Sequence, residues 1–146
     1  MKIYTSYWAQ VRNFPKNLVG LNTTVWPPKW RPLGQDKRGV ICVDCPPFKP
    51  GCECEGLCAG KCDPKHPYDC DFLRTYKAQL DKLNWHSISE SLGKLGVQIA
   101  RDEGFKDVDF AFLVYETPAN ECSERGPIQQ WFKEQGVHIE EWHKED

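Results

Sequence analysis

No stretch of this sequence is apolar for the roughly 20 residues that a membrane-spanning helix needs. The opening Met-Lys-Ile-Tyr-Thr-Ser-Tyr-Trp has no apolar leader core. The expectation is therefore a cytoplasmic chain without a membrane partner, in a compartment where thiols stay reduced. Internal repeats are also missing, which argues against solenoids and propellers. Acidic residues are scarce at one end only. In residues 1–41, Asp36 stands alone against seven Lys or Arg, a balance of +6 in a chain whose net charge is −2.

What is present suits one globular domain. The chain has 146 residues, 40% hydrophobic and 27% charged, long enough to bury a core. Six Trp, five Tyr and seven Phe are a heavy aromatic load. In the basic N-terminal third, Tyr4, Tyr7, Trp8, Trp26 and Trp30 suit either of two uses: stacking on the bases of a nucleic acid strand, or filling a core beneath a lysine-decorated surface.

Residues 2–6 read as a first strand, and residues 7–14 as a helical turn or two closed by Pro15. Residues 18–26 read as a second strand ended by Pro27 and Pro28, residues 29–37 as loop, and residues 39–43 as a third strand. Farther on, Phe72, Leu73, Tyr76, Leu80 and Leu83 recur at helical steps, predicting a helix over 71–85. Ser87 with Glu90 makes a capping-box signature for a second helix bearing Ile88, Leu92, Leu95 and Ile99, with Gly104 past its end. Residues 109–115 are nearly all apolar, as in a strand buried on both faces. Ser123 is a candidate cap for a third helix to residue 135, stopped by Gly136, before a last strand over 137–141. The pattern is α/β: three layers, a mixed and mostly parallel sheet of about five strands, and about three helices in a single domain, 1–146.

Seven of the eight cysteines fall in residues 42–70, which interrupt this pattern as a Cys-rich insertion. Cys42, Cys45, Cys52, Cys54, Cys58, Cys62 and Cys70, with His66, make eight donors, enough for two tetrahedral zinc sites. Six thiolates bridging two metals, an iron–sulfur cluster and disulfides are the alternatives. Residues 46–67 hold five prolines and three glycines without periodicity, so the segment is expected to need a ligand to order it. Its side chains balance to −2, from three Lys against five Asp or Glu. That charge repels phosphate and suits a structural clamp or an acidic surface for a protein partner.

The second informative stretch is Leu113-Val-Tyr-Glu-Thr-Pro-Ala-Asn-Glu-Cys-Ser-Glu-Arg-Gly-Pro, where a buried strand runs through a polar loop into a helix. Ligand sites of α/β proteins form at such places. Glu116, Cys122 and Arg125 are the candidate catalytic residues: carboxylate, helix-activated thiolate and phosphate-holding guanidinium. Ser6, Tyr7 and Tyr115 are candidate ligand-binding residues. Each also has a structural reading, as buried filler, helix partner or surface ion pair. The opening Lys-Ile-Tyr-Thr-Ser-Tyr-Trp-Ala, the Pro27-Pro28-Lys29-Trp30 turn and the Tyr115-Glu116 … Cys122 … Trp131 block resemble the DUF488 family, small uncharacterised proteins of bacteria and their phages. The resemblance covers the two ends, about half of the chain. It implies an α/β fold and a Cys-His-Arg loop. Here Cys122, Ser123 and Glu124 stand in that loop, with Arg125 one position later, so a histidine base is missing and Glu116 or Glu124 must serve. The expected ligand is a nucleotide or nucleic acid. The alternatives are a zinc-stabilised interaction module without catalysis, or an iron–sulfur protein.

Overall fold

The computed structural model describes residues 1–55, 57, 70–120 and 122–144. Its strands are β1 (Ile3–Tyr7), β2 (Leu18–Asn22), β3 (Gly34–Gln35), β4 (Ile41–Asp44), β5 (Asp109–Val114) and β6 (Glu140–Glu141). Its α-helices are α1 (Asp71–Asp81), α2 (Trp85–Glu103) and α3 (Arg125–Glu134). The six strands form one sheet in the order β3-β4-β2-β5-β1-β6. Every neighbouring pair is parallel except β3 with β4. The mostly parallel α/β architecture is as the periodicity predicts. The extra strand β3 is two residues long, too short to carry an alternation pattern.

The two faces of the sheet are covered unequally. Alternation along the strands sends Val19, Leu21, Phe110 and Phe112 to one face, where Tyr76, Leu80, Leu92, Ile99, Ile128, Trp131 and Phe132 of the three helices meet them. The other face presents Leu18, Cys42, Ala111 and Leu113, and is covered by Trp8, Val11 and Phe14 in and beside a 3-10 helix, Trp8–Asn13. Trp142 closes edge-on over Phe14, with ring centres 4.9 Å apart. Three layers result, one of them thin. The central β2 and β5 are buried nearly throughout, which accounts for the apolar run of β5, whereas β1 is buried only at Thr5 and Ser6.

Helix ends follow local chemistry, with two differences from the sequence patterns. α2 begins earlier than the Ser87–Glu90 box implies: Asn84 is the cap, its side chain accepting from the Ser87 N–H at 3.0 Å. An Asn directly ahead of the first core-packed residue, Trp85, satisfies the orphan N–H equally well. α3 begins at Arg125, and the Ser123 hydroxyl accepts the Arg125 N–H at 3.2 Å. Gly104 and Gly136 take φ of +74° and +81° just past α2 and α3, where a side chain would be strained.

The described start of the cysteine segment is docked on the main core. A short 3-10 turn, Pro46–Phe48, puts Phe48 fully inside, 4.6 Å from Phe112 and 5.6 Å from Trp131 between ring centres. Burying one such ring stabilises by about 1.5–3 kcal/mol. The Tyr76 hydroxyl donates to the Phe48 carbonyl. Gln79 of α1 clips the chain next to it, donating to Lys49 O at 2.6 Å and accepting from Gly51 N at 2.7 Å. Residues 46–51 are thus held by apolar burial and hydrogen bonds of their own, which the Pro/Gly composition did not predict. No described helix is long and apolar enough to cross a membrane.

Candidate functional site

β1 and β5 are parallel neighbours, with Ser6 beside Leu113 and Tyr7 beside Val114. Past these residues the chain leaves in opposite directions. β1 continues into the 3-10 helix on the thin face, while β5 leads to α3 on the helical face. Parallel strands whose connections part to opposite faces leave a crevice at their carboxyl ends, the common ligand position in open α/β sheets. Tyr7, Tyr115, Glu116, Ser123, Glu124 and Arg125 come from the chain segments bordering this parting.

Arg125 is the best-held of them. Its side chain is 9% exposed, and its Nε donates to Glu141 Oε1 at 2.6 Å. Nη2 donates to the Glu116 carbonyl at 2.7 Å and approaches Glu141 Oε2 at 3.3 Å, and Nη1 reaches the Ser123 hydroxyl at 3.4 Å. The guanidinium carbon also lies 5.8 Å from the Tyr7 ring centre. Glu141 accepts a further bond from the Thr5 hydroxyl at 2.8 Å, and Gln129 donates to that hydroxyl at 2.8 Å. A guanidinium so engaged fastens α3 and β6 to β1 and has little capacity left for a phosphate. Thr5 and Glu141 were not singled out in the sequence: a threonine in a strand and a glutamate near a chain end carry no signal of this pairing.

The carboxylates differ. Glu116 Oε2 is buried and has no hydrogen-bond partner among the described residues. Burial raises the Glu116 carboxyl above its ordinary range, with Arg125 opposing the rise. Burial raises Glu124 further, to about 7, and the negative Glu116 adds to this. Burial also lifts the Tyr76 hydroxyl, and the charges of Glu124, Cys45 and Cys54 lift it more. Glu124 thus lies within electrostatic reach of Tyr76 and Cys54 as well as of Glu116. Cys54 is raised by its burial, with Glu124 among the charges that add to the effect. A carboxyl that titrates near neutrality beside an unpartnered carboxylate can both hold and accept a proton.

Other expected site residues are placed differently. Ser6 shares the strand face of Tyr4, which packs against the thin layer, so Ser6 and Tyr7 point to opposite sides of the sheet. Tyr115 is 48% exposed and donates its hydroxyl to the Trp26 carbonyl. Cys122 is disulfide-bonded, and in that state its sulfur is not the thiolate nucleophile the helix end suggested.

The described cysteines do not form one set. Cys42 is fully buried on the thin face among Leu113, Val40 and Trp8, and burial pushes its thiol up to about 11. Cys45 packs on the helical face, its thiol raised to about 12 by burial and then by Asp44. Three residues apart in extended chain, the two point to opposite sides, so the close spacing that suggests a chelating pair does not make one. Cys54 and Cys70 are buried and Cys52 is exposed; all three are free thiols. Cys52 and Cys54 line a pocket of about 340 Å³ with Val25, Gly51 and Phe72. Among the described residues no three Cys, His, Asp or Glu side chains are grouped to hold a metal ion. Cys58, Cys62 and His66 lie outside the described residues.

Compared with known proteins, the chain matches no family model, no curated protein and no solved structure.

Proposed function

We propose that the protein binds a nucleotide, or a nucleotide unit of a nucleic acid, where β1 and β5 part, and carries out acid–base chemistry there. Glu124 is the proton-holding acid, and Glu116 is the carboxylate that orients a water or sugar hydroxyl. One observation carries this reading: a buried carboxylate oxygen without a partner stands beside a carboxyl raised to about 7. Such groups are costly to fold and cluster where chemistry is done. The basic, aromatic N-terminal third supplies the preference for a nucleotide, and Tyr7 and Tyr115 border the binding place. The resemblance to the DUF488 family belongs to this reading, with the acid pair in place of a cysteine–histidine couple.

The cysteine segment is proposed to bind zinc as scaffold and as one wall of the site, since Cys54 sits within the electrostatic reach of Glu124. With Cys42 turned away and one further cysteine taken up by the Cys122 disulfide, fewer than seven of the eight expected donors remain. Two separate tetrahedral ions would need eight, so one ion, or two sharing thiolates, is the consistent number. A brown protein absorbing visible light would replace zinc with an iron–sulfur cluster.

The test is calorimetric titration of nucleoside monophosphates into wild type, Glu116→Gln and Glu124→Gln, with turnover followed from pH 5 to 9. Binding with turnover that depends on a group titrating near 7, lost in Glu124→Gln, is the expected result. Absence of nucleotide binding, or turnover unaffected by both substitutions, sinks the proposal.

A further inference from the structure

The six tryptophans are not treated alike. Trp8 and Trp131 are 1% exposed, whereas Trp26 is 78% and Trp30 66% exposed, with Val25 at 50% between Trp26 and the end of β2. Large aromatics seldom stay in water without a partner to meet. Two indoles four residues apart are separated by at most about 14 Å of backbone, within reach of two or three neighbouring nucleotides.

Their loop is fastened. Arg31, itself buried, donates to the carbonyls of Pro32 and Gly34 and, at 2.9 Å, Val40, and its backbone N–H donates to Pro28 O at 3.1 Å. The Thr24 hydroxyl reaches Trp26 O at 3.2 Å, and the Tyr115 hydroxyl donates to the same carbonyl. Prolines at 27, 28 and 32 stiffen the rest. Indoles on a pinned backbone lose little freedom when a ligand stacks on them.

The surroundings are cationic. Residues 23–40 hold Lys29, Arg31, Lys37 and Arg38 against Asp36 alone, a balance of +3. Arg31 and Arg38 are engaged with the protein, while Lys29 and Lys37 are exposed and make no ion pair among the described residues. Two exposed rings with the free Lys29 between them in the chain match the alternation of bases and phosphates in an unpaired strand. A duplex hides its base faces. A protein partner for this loop would have to supply the acidic charge that a nucleic acid carries on every residue.

From this we infer that the 23–33 loop is a stacking platform for single-stranded nucleic acid, with Trp26 and Trp30 receiving bases and Lys29 a phosphate. The inference rests on the nucleotide reading and deepens it. Tyr115, tethered to the Trp26 carbonyl and one residue before Glu116, connects platform to crevice, so the strand runs over the loop toward the carboxylates.

The experiment is titration of a ten-nucleotide oligo(dT) into the full chain, read by quenching of tryptophan fluorescence and by anisotropy of labelled oligo(dT), at low and high salt. Wild type is expected to show quenching and salt-weakened affinity. Trp26→Ala and Trp30→Ala should each lose about tenfold in affinity, Trp26→Phe should keep most of it, and Lys29→Ala should lower the salt slope by about 0.7. If strand binding follows the tryptophans while mononucleotide turnover is absent, the crevice reading fails and the platform stands. If strand binding is absent, or survives both alanine variants, the platform inference is overturned whatever the crevice does. It is equally overturned if Trp26→Ala instead converts a dimer to a monomer in light scattering, because the loop is then a contact between copies.

Discussion

Arg125 and Glu124 are adjacent in the chain and opposite in circumstance. The guanidinium has a carboxylate, a carbonyl and a hydroxyl around it and is tied to two strands, β1 through Tyr7 and β6 through Glu141. The half-buried Glu124 carboxyl is raised by burial and by the neighbouring Glu116, which its own backbone N–H and Arg125 only partly offset, and it keeps its proton to about neutrality. A buried charge with a full set of partners holds architecture. One without, as at Glu116 Oε2, is costly to keep. The contrast assigns Arg125 to the frame and leaves the two glutamates to the proposed chemistry, the reverse of the roles their types suggest in isolation.

The contrast breaks most directly at the arginine. Arg125→Ala strands Glu141 in a buried position, and loss of one partner of such a pair typically costs about 3–5 kcal/mol. Urea denaturation should show this loss, and Glu141→Gln, which keeps hydrogen-bonding capacity, should show less. An Arg125→Ala protein as stable as wild type but unable to bind nucleotide would return Arg125 to the phosphate-holding role.

Glu124 should give the next largest effect, with a definite pH signature. Its carboxyl titrates at about 7 in the folded protein against an ordinary 4.5. Below the lower value both states are protonated and the group contributes nothing. Between the two values the unfolded chain ionises first, so stability falls as pH rises. Above 7 the full penalty applies, about 3 kcal/mol from the difference in pKa. Glu124→Gln should therefore be more stable than wild type at pH 8 by up to about that amount, with the difference vanishing near pH 4. Equal stability at both pH values would mean that the carboxyl is solvated and the contrast with Arg125 is false.

The same pair of regions shows what the sequence could reveal. Helices α1 and α2 were legible because an apolar face repeats at 3.6 residues whatever the rest of the fold does, and β5 because a strand buried on both faces is apolar almost throughout. The 115–125 loop was legible as a place, since strand, loop and helix N-terminus follow in order. Which of its residues were free was not, because that depends on Glu141 and Thr5, residues arriving from distant strands. Composition misled at Phe48: one aromatic among prolines docks a segment that otherwise looks unable to fold. It misled again at Cys42, where spacing suggested chelation and strand geometry enforces the opposite.

A smaller effect tests the thin face, where Cys42 is packed and not poised. A Cβ added at Gly20 would stand 2.7 Å from Leu113 Cδ1 and 2.8 Å from Cys42 Sγ, closer than real contacts allow. Gly20→Ala should cost about 1–3 kcal/mol as an overpacked core position. Adding Cys42→Ala should recover part of that loss, because it removes one of the two clashing atoms. Independent behaviour of the two substitutions in a double-mutant cycle would place Cys42 elsewhere.

The smallest expected effect is an absence of change, and it bears on the metal. If the thiols on the two faces have different work, Cys42→Ala should leave the zinc content of the purified protein as in wild type, whereas Cys54→Ser should lower it. Elemental analysis of folded, gel-filtered protein measures both. Cys42 is walled off from Cys45 and Cys54 by the sheet itself, between Gly20 and Leu113, so a loss of zinc on its removal would require the thiol to share a metal with them through β4. That result would bring Cys42 back into one donor set with them. Retained zinc in Cys42→Ala with loss in Cys54→Ser would confine the metal to the helical face, on the same side as Glu124.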